Sequence, residues 1–139
     1  MGSGVKELKL WQEAVALAGE VLKAARAGSR RETKVFTDRL MQSAVAVATH
    51  VAEGYGREEV AEERRLYQQA RRALAELETH LAVARHAGVV PAAVLAQLAP
   101  RTAAVGRLLA GYLAFIDRQH VAAEPDDGER TSAAHVGRA

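Results

Sequence analysis

Five residues carry the chemistry most open to a functional reading: Arg64, Arg65, Gln68, Arg71 and Arg72. Their spacing of i, i+1, i+4, i+7 and i+8 places them on one face of an α-helix, at about 100° per residue. His86 continues that face. The forked guanidinium matches a phosphate, and helix faces of this kind lie readily along a nucleic-acid backbone. Tyr67 is the one aromatic residue close to the stripe. Contact with RNA or DNA backbone, without reading of bases, is therefore the expected form. Glu62, Glu63, Glu76 and Glu78 support the plainer alternative of a solvated face, partly neutralised by its own neighbours.

Little else points to catalysis. The chain has no cysteine, which removes disulfides, thiolate nucleophiles and thiolate metal sites. Ser29, Ser43, Thr33, Thr37 and Thr102 stand in no nucleophile motif, and there is no phosphate-binding loop or dinucleotide fingerprint. A di-iron bundle needs Glu-x-x-His on two helices. His50-x-x-Glu53 has the reverse order and no second copy, and His80 and His86 are not one turn apart. His120 and His135 lie near or in the tail. The expectation is a protein that is not an enzyme and holds no metal or cofactor. Glu53 reads as a structural carboxylate that pairs with Arg57 or a backbone terminus.

The elements that position these residues are helices. The chain has 139 residues, of which 49% are hydrophobic, 26% are charged and three are prolines. That size and mix suit one helical domain. In a first helix over 5–26, Leu8, Trp11, Val15, Ala18, Leu22 and Ala25 alternate steps of three and four, the pattern of a bundle seam. Gly28-Ser29 stops it. A second helix runs from Thr33 or Lys34 to Gly54-Tyr55-Gly56. Its segment Ala44 to Ala52 is apolar on nearly every side, more than one bundle can bury. The surplus predicts an interface between copies, with Val45, Val47, Ala48, Val51, Glu53 and Gly54 as interface or structural residues.

A third helix over 58–87 opens with Glu58, Glu59, Glu62 and Glu63, where the helix dipole favours negative charge. Leu66, Ala70, Ala73, Leu77, Leu81 and Ala84 form its core stripe, and Gly88 its cap. A fourth starts near Pro91 and buries Leu95, Leu98, Thr102, Val105, Leu109, Tyr112 and Ile116. Pro100 should kink it or force a restart at Arg101. Short loops between four long helices predict an antiparallel up-down-up-down four-helix bundle. Residues 1–4 read as a disordered N-terminus or a cloning remnant, 5–123 as the bundle, and 124–139 as a disordered acidic tail. The net charge is +2, with 17 basic against 13 acidic residues on 1–123, a balance of +4. No apolar run is long enough for a membrane helix, and no secretory signal is present, so the expected location is cytoplasmic.

One stretch goes beyond pattern. Ala44-Val45-Ala46-Val47-Ala48-Thr49-His50-Val51-Ala52-Glu53-Gly54-Tyr55-Gly56-Arg57 resembles the A-x-S-I-x-x-N-I-A-E-G-x-x-R signature of the rRNA intervening-sequence proteins. Leu8-Lys9-Leu10-Trp11-Gln12-Glu13-Ala14 is similar to that family's opening L-x-V-W-Q-x-A. Ala73-Leu74-Ala75-Glu76-Leu77-Glu78-Thr79 is similar to its S-L-x-E-L-x-T segment. The matches fall in family order. They differ at His50, where the family has Asn, and at Gln42-Ser43, where it often has a basic pair. The family's usual first-loop proline is absent.

The resemblance implies a homo-oligomer, a pentameric barrel of four-helix bundles. It also implies kinship with the accessory variability determinant of diversity-generating retroelements, a nucleic-acid-binding accessory protein that partners a reverse transcriptase. The resulting expectation is a non-enzymatic oligomeric scaffold that holds nucleic-acid backbone on its third helix. The alternative is an oligomeric protein–protein adaptor with no nucleic-acid role.

Overall fold

A computed structural model describes residues 4–123. The tail at 124–139 and residues 1–3 lie outside the described residues. A short 3-10 turn, Val5–Glu7, leads into α1, Lys9–Gly28. A second 3-10 turn, Arg31–Thr33, leads into α2, Lys34–Gly54. Then follow α3, Val60–Ala87, and α4, Ala92–Ala123. No strand occurs among the described residues. Each helix packs against its neighbours in sequence, and α1 closes the ring against α4, so the four form the expected bundle.

Local chemistry accounts for the ends. Gln12 donates to the Lys6 carbonyl across the start of α1 at 2.8 Å. Thr33 closes the first loop by accepting from the Arg30 backbone N–H at 3.0 Å. At the end of α3, Gly88 takes the left-handed conformation at φ 71°, which glycine adopts without steric cost. Its N–H bonds Arg85 O, and that of Val89 bonds Ala84 O.

The core seam of α1 differs from the sequence expectation. Leu10, Ala14, Leu17, Val21, Ala24 and Ala25 are buried, a row one position earlier than most of the expected one. Of the expected seam, Ala25 is buried, whereas Val15 is 41% and Leu22 44% exposed. Helix α1 carries two adjacent apolar rows with the same period, and only one of them is buried against α2 and α4. Helices α3 and α4 follow their expected stripes, with Leu81 and Tyr112 only partly buried, and Tyr67, Leu74 and Leu113 joining the core.

Pro100 does not interrupt α4. Pro100 and Ala96 both face outward, so the Ala96 carbonyl left without a donor can bond water. Buried Leu95, Leu98 and Val105 hold the helix on either side.

Candidate nucleic-acid interface

The five α3 residues do share the outward face, opposite buried Leu66, Ala70, Ala73 and Leu77. Their electrostatic states divide them. Arg64 reaches across to α4 and pairs through Nε with Asp117. Arg65 grips Glu62, one turn back, with contacts of 2.7 and 3.1 Å. That bond holds the Glu62 carboxyl below its ordinary pKa and raises that of Arg65. Glu63 behaves oppositely, because partial burial pushes its carboxyl up. Gln68 is half-buried. Arg71 and Arg72 are exposed, and neither has an ion partner within 4 Å among the described residues. Of the four arginines, two are therefore available to a ligand without breaking a pair.

The six interface candidates on α2 also separate. Val47 and Val51 are 0% exposed and belong to the bundle's own core. Ala48 is nearly buried, and Val45 is 54% exposed. Glu53 is exposed, with its carboxylate 2.9 Å from His50 Nδ1 and its carbonyl accepting from Arg57 Nε at 2.7 Å. Gly54 is buried for a steric reason. A Cβ there would stand 2.5 Å from two ring atoms of Tyr67 and 3.2 Å from the Leu66 Cβ. The backbone at Gly54 is ordinary helix, so close approach, not left-handedness, calls for glycine. Tyr67 is itself fully buried, its hydroxyl makes no well-formed hydrogen bond among the described residues, and burial, with the neighbouring Tyr112 hydroxyl, raises its pKa.

Two features escaped sequence reasoning. The outward row of α1 and the outward row of α2 meet in one apolar groove. Trp11, Val15 and Ala18 line it with Val45, Ala48 and Ala52, and Leu22 and Met41 extend it. Its α2 half, Val45 and Ala48, was among the expected interface residues, whereas its α1 half was assigned to the core. The second is a polar joint between α2 and α3. Ser43 donates to the Leu40 carbonyl and stands 3.4 Å from His80 Nδ1, whose ring meets Phe36 edge-on. The Ser43 proton is already committed to a carbonyl, so this is packing rather than a nucleophile. Among the described residues, no three His, Asp or Glu side chains converge on a point that a metal could occupy.

The model of the 23S rRNA-intervening sequence proteins matches residues 6–111, from before α1 to well inside α4. The chain belongs to this family. In this member of the intervening-sequence proteins, the matched span takes in the apolar groove, the Gly54–Tyr67 contact and the whole arginine face. No curated protein matches the chain. No described helix is long and apolar enough to cross a membrane.

Proposed function

We propose that this intervening-sequence protein is a non-enzymatic homo-oligomeric scaffold that holds nucleic-acid backbone on the outward face of α3. The observation that carries the nucleic-acid part is the pair Arg71 and Arg72, exposed on α3 and without ion partners among the described residues. Assembly is supported by the α1–α2 groove, whose valines and leucine remain exposed in one copy. Apolar area of that kind gains about 25 cal/mol per Å² when a partner covers it. The family resemblance supplies the proposed number of copies, five, and the proposed protein partner, a reverse transcriptase. In a ring the arginine pair recurs once per subunit, so weak contacts add through effective concentration.

The competing adaptor reading rests on one observation: Arg64 and Arg65 are already neutralised by Asp117 and Glu62. The two separate in a filter-binding assay against unrelated RNA and DNA across a salt series. The scaffold reading expects binding that weakens steeply with salt. It also expects R71Q/R72Q to bind more weakly than R64Q/R65Q. No binding at low salt overturns the nucleic-acid part and leaves the adaptor reading.

A further inference from the structure

Phe115 is the one exposed aromatic side chain among the described residues, at 43% exposure. The other aromatic rings are half-buried or lie in the core. Helical spacing sets the company that Phe115 keeps on α4. Arg107, Gly111, Phe115 and Arg118 stand at i, i+4, i+8 and i+11, so they share one flank of that helix. All four are exposed, while Leu109, Leu113 and Ile116 hold the core side.

The charge on this flank has one sign. Arg107 and Arg118 have no ion partner within 4 Å among the described residues. Asp117 is the one acid in α4, and Arg64 holds it across the seam with α3. The α3 face differs, because Glu62 stands beside its arginines and occupies Arg65. The two helices also lie close. A Cβ on Gly106 would stand 3.6 Å from the Leu74 side chain, which sets Arg107 within a turn of the level of Arg72. A strand held on α3 therefore meets the α4 flank by crossing one seam.

The Phe115 ring is held in place. Side chains on a helix lean toward its N-terminus, so Phe115 leans over Gly111 and Tyr112. Tyr112 backs the ring, with centroids 6.0 Å and planes 28° apart. Tyr112 is itself half-buried, against Tyr67 at 4.8 Å. Over Gly111 the space is open, since a Cβ there would meet nothing within 4 Å. Packing does not call for glycine at this position. Its backbone is ordinary helix, where glycine costs stability relative to alanine. What the missing side chain does is leave one side of the ring uncovered.

We propose that this flank of α4 is a single-strand site, in which Phe115 stacks an unpaired base over Gly111 while Arg107 and Arg118 hold phosphates on either side. The proposal rests on the scaffold reading for the identity of the polyanion and adds that the strand is unpaired. Every base has a π-face, so stacking with guanidinium contacts to the backbone tolerates any sequence. In a duplex those faces are covered by neighbouring base pairs. The two arginines lie about 16 Å apart along the helix, longer than one nucleotide step. A second copy of the chain suits this flank poorly, because covering it would take two unpaired cations out of water. Phe115 and Arg118 lie beyond the span that the family model matches.

The test is anisotropy of a fluorescein-labelled RNA, alone and annealed to its complement, across a salt series. The parent should bind the single strand more tightly. Phe115→Leu keeps an apolar side chain and removes the ring. It should lose about tenfold on the single strand, the size of one stacked base, with its salt slope and its duplex binding unchanged. R107Q/R118Q should lower the single-strand slope by about 1.4, since each phosphate contributes about 0.7. Gly111→Gln covers the ring with a better helix former. It should bind the single strand as weakly as Phe115→Leu while melting no earlier than the parent, which separates binding from folding. If both Phe115→Leu and Gly111→Gln bind like the parent, this inference falls and the α3 reading stands. Equal losses on single strand and duplex overturn the preference for an unpaired strand. A lower particle mass for Phe115→Leu in light scattering makes Phe115 a contact between copies and overturns the inference. A parent that binds no RNA at low salt overturns it together with the scaffold reading.

Discussion

The outward faces of α1–α2 and of α3 are built on the same helical period and have opposite chemistry. On α1 and α2 the outward row is apolar, with Val15, Leu22 and Val45 exposed in one copy and Trp11 and Ala18 partly buried. On α3 it is arginine and glutamine, half of the arginines tied to acids and half free. A charged outward row is stable in water as it stands. An apolar one that a single bundle leaves exposed calls for a partner. On the proposed reading, the difference assigns assembly and ligand contact to different helices of one frame.

That frame is where the comparison is easiest to break. Helix α2 meets α3 through Gly54 against the Tyr67 ring, so both faces depend on that contact. Gly54→Val should cost about 3 kcal/mol, the upper range for overpacking. The melting temperature should fall by about 10 °C, with both faces compromised, while Gln69→Ala on the α3 surface changes little. Equal melting curves for the two variants would mean that the joint yields.

Gly28→Ala is the smaller version of the same break. Its Cβ meets a backbone carbonyl of Val89, which cannot rotate away as a side chain can. A loss of about 2 kcal/mol in urea unfolding is expected. An unchanged midpoint would show that the two loops separate freely.

Tyr67→Phe isolates the ring from its hydroxyl. The buried oxygen has no partner among the described residues, so removing it should be neutral or stabilise by about 1 kcal/mol. A clear destabilisation would reveal a bond to this hydroxyl and make the joint polar rather than steric.

The smallest effect sharpens the division within α3. Asp117→Asn releases Arg64, and the exposed pair is worth less than about 1 kcal/mol. Stability should hardly move, while RNA retention should extend to higher salt as a third arginine becomes free. Unchanged retention would show that Arg64 faces away from the ligand path.

Much of the fold was legible because local rules set it. The Gly88 cap, the α2 boundaries and the α3 core stripe each follow from neighbours a few residues apart. What was hidden depended on which neighbours packing chose. Two apolar rows on α1 satisfy the same period, and periodicity alone does not say which one faces the core. Val45 and Val47 look equivalent in sequence, yet one is exposed and the other buried. The pairing of Arg64 with Asp117 joins residues 53 apart in sequence and halves the availability of the stripe's first pair.

The central claim is that copies assemble through the α1–α2 groove and leave α3 outside. Light scattering at micromolar concentration on the parent and on V15E/V45E tests it most directly. A charge placed in a buried interface costs several kcal/mol, whereas both positions are exposed in the single bundle. The account predicts about five chains of 14.9 kDa for the parent and one for the variant, with the same helical spectrum. A monomeric parent, or a variant that keeps the parent's mass, would contradict it.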